Sequence, residues 1–180
     1  MELLAPVGSK EALTAAVENG ADAVYMAGKA FGARHYAPNF DDDELAEAVR
    51  FAHMHGVKVY ITVNTLIDER DIEHLVKYLR YLYLIAVDAV IVQDMAVAAI
   101  VQKIIPAMPL HGSTQMTVHN SAGVKLLEEC GFSRVVLARE LSMDEIAEIC
   151  KSSKMEIEVF VHGALCASSS RLCFLSSISG

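Results

Sequence analysis

The sequence predicts an α/β fold of the (β/α) TIM-barrel-like class, a parallel sheet of about seven strands with its eighth unit incomplete. Three observations carry that prediction. First, a unit recurs: an amphipathic helix ends near a glycine, two residues pass, and a valine-rich strand begins. Asn19-Gly20-Ala-Asp-Ala-Val24, His55-Gly56-Val-Lys-Val59 and Cys130-Gly131-Phe-Ser-Arg-Val135 each do this, and Ala86-Val-Asp-Ala-Val90 keeps the beat with alanine in the glycine slot. A glycine there supplies the left-handed residue that lets a helix reverse into a strand. Second, strands and helices alternate throughout, which means right-handed βαβ units and parallel pairing. Third, no linker, low-complexity tract or charge block divides the chain, so residues 1–180 read as a single domain.

The first strand is expected near Glu2–Ala5 and its helix at Lys10–Glu18. The second strand, Ala23–Ala27, leads into one long loop, Phe31 to Asn39, which carries Arg34, His35 and Tyr36. Asp41 or Asp42 then caps a helix over Asp42–His55, its acidic first turn suiting the helix dipole. Strand three falls at Lys58–Val63, with a helix at Glu69–Ile85. Strand four is Ala89–Val92, followed by Met95–Ile105. Strand five is Leu110–Thr114, followed by Ser121–Cys130. Strand six is Arg134–Ala138, and Ser142-Met-Asp-Glu145 has capping-box spacing for a helix over Met143–Ser152. Strand seven is Glu156–Val161. There Val159 and Val161 alternate with Phe160 and His162, an apolar run that suits burial on both faces.

Seven strands are one short of a closed barrel, and such barrels rarely run below about 200 residues. The chain stops at Ser179-Gly180, soon after strand seven, and so reads as a barrel cut at its C-terminal side. An open edge exposes unpaired backbone groups, and the expectation is a homo-oligomer formed through it. A doubly wound sheet is the alternative, but no glycine-rich phosphate turn follows strand one.

Composition excludes several classes. The net charge of −8 argues against a general nucleic-acid surface on this stretch, which needs clustered Lys and Arg. No run of about 18 uncharged apolar residues is present to span a bilayer. The most apolar stretch, Tyr81 to Val87, meets Asp88 at once. Glu2 and an immediate strand are unlike a signal peptide. Cys130, Cys150, Cys166 and Cys173 are too scattered for a disulfide scaffold, so the chain is expected in the reducing cytoplasm.

In either architecture the C-terminal ends of the strands carry the site. Strand three delivers Asn64, and strand four Gln93 and Asp94. Strand five, which contains His111, delivers Ser113, Thr114 and Gln115, with His119 and Asn120 just beyond. Strand six gives Arg139 and Glu140, and strand seven Glu158 and His162. Singly, each reads as a cap, a turn or a satisfied hydrogen bond, and Asp94 and Asn120 suit helix caps. Together they predict a polar pocket, with Asn64, Gln93, His111, Gln115 and Arg139 as substrate-binding candidates. Arg139 is the natural anion anchor because its planar fork binds carboxylate or phosphate bidentately, although Glu140 or Glu158 can simply pair with it. His162, Glu158, Arg139 and Glu140 are the catalytic candidates, His162 being able to act as acid, base or ligand near neutral pH. His53, His55 and His74 lie on helices and read as surface. Cys166 and Cys173 have neither zinc nor thioredoxin spacing, and buried structural thiols are the plain alternative.

The run Glu158-Val-Phe-Val-His-Gly-Ala-Leu-Cys166, then Cys173 and Ser176-Ser177, resembles the signature of the U32 peptidases, the collagenase-like proteases. The likeness extends through Leu4-Ala-Pro-Val-Gly8, Gly20-Ala-Asp-Ala-Val-Tyr25, Thr62-Val-Asn-Thr-Leu66, Gln93-Asp94, His111-Gly-Ser-Thr-Gln-Met116, His119-Asn120-Ser121 and Leu137-Ala-Arg-Glu-Leu141. These resemble the N-terminal catalytic region of that family. The family name implies a protease acting on peptides, yet the sequence holds no nucleophile elbow and no H-E-x-x-H helix. Relatives imply another activity: oxygen-independent hydroxylation of tRNA, rRNA or a ubiquinone precursor, with prephenate as oxygen donor and a [4Fe-4S] cluster. Four thiolates hold such a cluster. By resemblance Cys166 and Cys173 are two of them, and the other two are expected beyond residue 180. The 180-residue stretch alone is then expected to be inactive, and an inert scaffold is the third reading. The loop departs from the family's Cys-Val-Cys-Tyr-Ser-Gly-Gln-Cys, with Arg171 and Leu172 in place of Gly-Gln.

Overall fold

A computed structural model describes residues 1–33 and 39–163. The chain divides into two compact units, Met1–Pro109 and Leu110–Gly180. The first holds β1 (Leu4–Pro6), α1 (Lys10–Glu18), β2 (Ala23–Met26), α2 (Asp42–Met54), β3 (Lys58–Val63), α3 (Ile72–Leu84), β4 (Ala89–Val92) and α4 (Met95–Ile104). The second holds β5 (Leu110–Gly112), α5 (Ser121–Glu129), β6 (Arg134–Val136), α6 (Met143–Ser152) and β7 (Glu156–Glu158). Every strand pair within a unit is parallel and follows chain order. Tyr25 sits beside Tyr60 and Tyr60 beside Ala89 in the first unit, and Arg134 beside both His111 and Glu156 in the second.

The valine-rich runs form central strands because both of their faces are buried. In the first unit one face carries Val24, Met26, Val59, Ile61, Val63, Val90 and Val92, all essentially inaccessible. The other carries Ala23, Tyr60, Ala89 and Ile91, packed with Leu4 and Tyr25. The helices start where the sequence places their caps. Asp41 accepts from Glu44 N at 2.9 Å while Glu44 returns a carboxylate to Asp41 N at 3.0 Å. Ser142 and Glu145 repeat that box on α6. Asp94 caps α4 and Asn120 caps α5.

The recurring helix-to-strand turn is built as expected. Gly20, Gly56 and Gly131 have φ of +83°, +75° and +82°, and Ala86 takes the same conformation at +62°. A Cβ in the left-handed region costs about 1–2 kcal/mol. Glycine recovers that but loses about 0.5–1 kcal/mol of unfolded-chain entropy. Ala86→Gly is therefore expected to stabilise the protein by up to about 1 kcal/mol, raising the thermal midpoint by about 2–4 °C. A midpoint that stays put or falls in a calorimetric scan would count against a strained Ala86.

The structure corrects several boundaries. β7 ends at Glu158, and Val159, Phe160 and Val161 are 38%, 49% and 86% exposed, so this run is not a strand buried on both faces. Among the described residues β7 is paired only on its β6 side, where the ladder stops at Val136↔Glu158. β5 stops at Gly112 because Ser113 turns the chain into a 3-10 turn, Thr114–Met116, its hydroxyl accepting from Gln115 N at 3.3 Å. The third helix likewise opens with a 3-10 turn at Glu69–Asp71, capped by Asp68.

Candidate functional site

In the first unit the polar residues gather where β3 and β4 end. Val63 pairs with Val92, so Asn64 and Gln93 are the next residues out on adjacent strands, and both are half-buried. Continuing the alternation puts them on the face of Tyr60, Thr62, Ala89 and Ile91. The chain after β2 is fastened to this corner. Ala33 N donates to Asn64 Oδ1 at 3.0 Å, and Thr65 Oγ1 donates to the Phe31 carbonyl at 3.2 Å. Phe31 holds a left-handed φ of +59°, and its ring lies 5.6 Å from that of His74 and 5.7 Å from that of Tyr78. Asp94 ties the corner together: one oxygen accepts from Ala96 N at 2.8 Å, the other from Ile67 N at 3.0 Å. It is a cap and a brace, with its carboxylate committed to backbone.

In the second unit Ser113 is buried and its hydroxyl donates to Gln115 Oε1 at 3.3 Å, which fixes the Gln115 amide. Thr114 Oγ1 donates to the Leu137 carbonyl at 3.4 Å. Thr117 is a β-branched residue at φ +56°, a strained conformation that turns its carbonyl toward His119. His119 Nδ1 lies 2.6 Å from that carbonyl, which can only accept, so Nδ1 carries the proton. The opposite nitrogen, Nε2, faces Glu140 Oε2 at 3.9 Å. An imidazole oriented this way suits proton transfer. Nearby, the Ser142 hydroxyl and backbone N–H hold the Glu145 carboxyl below its usual range, with a lesser contribution from His119. Arg139 and Glu140 lie just past β6 and both are exposed.

The buried cation of this unit is Arg134, only 7% exposed. Its Nε donates to Glu156 Oε2 at 2.8 Å, and its Nη1 lies 3.6 Å from Glu158 Oε2. His111, Arg134 and Glu156 stand abreast on three strands. Glu158 thus pairs with Arg134, a residue that the sequence reading passed over. The signal was present: a charge in a valine run, opposite two glutamates spaced i, i+2 on the next strand.

His162 lies beyond the end of β7 and is exposed. Cys166, Cys173 and the Arg34–Tyr36 stretch lie outside the described residues. Cys130 ends α5 and Cys150 lies on α6. Among the described residues no three His, Cys, Asp or Glu side chains converge as metal ligands. No helix there is long and apolar enough to cross a membrane.

The chain matches the model of peptidase family U32 over residues 8–180. It is 42% identical, over 98% of its length, to 23S rRNA 5-hydroxycytidine C2501 synthase of Escherichia coli, covering 26% of that protein. It is 41% identical, again over 98% of its length, to tRNA hydroxylation protein P1 of Bacillus subtilis, covering 42% of it. With a Porphyromonas gingivalis collagenase the identity is 35% over 97% of this chain and 44% of the relative. The chain thus spans less than half the length of these curated relatives. A solved U32 peptidase superposes with a TM-score of 0.75 at 17% identity, covering 88% of this chain and 68% of the other, which places the fold in the TIM-barrel-like α/β class. On the match over residues 8–180, this chain belongs to peptidase family U32.

Proposed function

We propose that this chain is the catalytic portion of an RNA-base hydroxylase that works in the cytoplasm. The carrying observation is that the relatives at 42% and 41% identity are named for rRNA hydroxycytidine synthesis and tRNA hydroxylation. The strand-end geometry supports the same reading. The Ser113 and Thr114 hydroxyls are committed to Gln115 and to a backbone carbonyl, so neither is presented as a nucleophile beside a base. His119, with its proton fixed on Nδ1, offers Nε2 to take a proton from substrate, and Arg139 offers a fork for an anionic co-substrate. The charge of −8 argues against a general RNA surface on this stretch, so this reading has RNA docked by other parts of the parent protein.

The cofactor of this reading is a [4Fe-4S] cluster, which supplies the redox chemistry when bound. Its donor set is thiolate, and the described thiols, Cys130 and Cys150, belong to helices with no convergent ligands. By the resemblance to the family, Cys166 and Cys173 are the two candidate ligands of this chain, joined by two more from elsewhere in the parent protein.

The test is deletion of the parent gene, followed by mass spectrometry of nucleosides from rRNA and tRNA. Loss of a hydroxylated pyrimidine, restored by the wild-type gene but not by Cys166→Ala, is the expected outcome. Proteolysis is the second reading, favoured by the collagenase at 35% identity. It wins if the nucleosides are unchanged and cluster-free protein cleaves a collagen peptide.

A further inference from the structure

The corner where β3 and β4 end holds two carboxamides whose partners are unequal. Asn64 is oriented: its Oδ1 takes the Ala33 N–H, so its Nδ2 is left to donate elsewhere. That orientation is held at some expense, through the left-handed Phe31 whose carbonyl is bound by Thr65. Gln93, next to it across the ladder, is half-buried and its carboxamide makes no hydrogen bond to any described residue. A half-buried amide that no described residue binds still reaches solvent and is open to a ligand. The brace of Asp94 to Ile67 N fixes the two strand ends against each other, so the pair is preorganised.

Charge decides what fits. Among the described residues that bound this corner (Ala33, Thr62, Asn64, Thr65 and Gln93) none is a cation, and the Asp94 carboxylate follows Gln93 directly in the chain. A phosphate or carboxylate would meet a negative field there. A neutral planar edge with a carbonyl beside a ring nitrogen meets two amides at the spacing of adjacent strands.

We infer that Asn64 and Gln93 form a paired-carboxamide subsite that reads the amide edge of a pyrimidine base. Asn64 Nδ2 donates to a ring carbonyl. Gln93 pairs with the neighbouring ring nitrogen, accepting from N3–H of uracil or, rotated, donating to N3 of cytosine. This deepens the RNA-base reading and rests on it for the choice of a base over other amides.

The experiment measures binding of uridine, and of benzoate as a planar anion, to the full parent protein by saturation-transfer NMR and calorimetry. Asn64→Asp keeps the acceptor for Ala33 N–H while removing the outward donor. Gln93→Leu removes an amide on which no described residue depends, so it decides the matter if Asn64→Asp fails to fold. Each variant is expected to weaken uridine at least about tenfold, the loss of one hydrogen bond with its partner left unsatisfied, without moving the thermal midpoint. Benzoate should bind neither wild type nor variants at this place. The inference is overturned if wild type does not bind uridine, if Gln93→Leu retains wild-type affinity, or if benzoate binds and the variants abolish it. Uridine binding that depends on both residues in a protein that leaves RNA unmodified would sink only the hydroxylase reading.

Discussion

Replacing Arg134 by methionine is expected to destabilise the protein by about 3–5 kcal/mol, the range for stripping one partner from a buried ion pair. The guanidinium is nearly inaccessible, and the Glu158 side chain it faces is 18% exposed. Methionine matches the stem in volume but leaves Glu158 charged in a poorly solvated place. Glu156 contributes less, because its side chain is 66% exposed and solvent screens it. Arg134→Met with Glu158→Gln should therefore recover part of the loss, with a coupling of about 1–3 kcal/mol, whereas pairing it with Glu156→Gln should recover little. Arg134→Lys keeps the charge but not the fork and should fall between. Urea denaturation of the wild type, these four variants and the single Glu158→Gln and Glu156→Gln variants measures this. A loss under about 1 kcal/mol for Arg134→Met, the range of exposed pairs, would mean that the cluster is solvated.

The fold was legible because its period is written in backbone chemistry. The helix–glycine–strand turn needs one left-handed residue, and the sequence supplies it four times, once as Ala86. The caps at Asp41, Asp94, Asn120 and Ser142 are equally local, each an oxygen within reach of its own helix. Strand ends were less legible. Val159-Phe-Val161 has the composition of a buried strand, but composition does not say whether a ladder continues beside it. At the site, the sequence brought Asn64 and Gln93 to neighbouring strand ends. It could not say that Ala33 orients Asn64, since that depends on a contact between residues 33 and 64, nor that Gln93 has no partner among the described residues. The same limit hid Arg134, whose partners lie 22 and 24 residues away on another strand. His119 was placed at the rim, but its tautomer follows from the left-handed Thr117, which no propensity announces.

Gly28→Ala is expected to cost up to about 3 kcal/mol, the upper range for forcing volume into a packed interior. A methyl there would fall inside the van der Waals envelope of the Tyr78 hydroxyl and 3.3 Å from its Cζ. Tyr78 cannot easily yield. It is 6% exposed, burial pushes its phenol well above the usual range, and its ring is flanked by Phe31 and Tyr81 at 5.7 and 6.5 Å. The clash is chiefly with one oxygen, so Tyr78→Phe should relieve most of it. Gly28→Ala with Tyr78→Phe is expected to be more stable than Gly28→Ala alone. Gly28 also opens the stretch that carries Phe31 and Ala33 to Asn64, so the single variant should lose uridine affinity along with stability, and the double variant should regain both. Thermal denaturation and uridine titration of the three proteins test this together. Stability restored without affinity would separate the Tyr78 packing from the Asn64 clamp. No rescue of either would show that the backbone at Gly28, rather than the tyrosine, is what alanine disturbs.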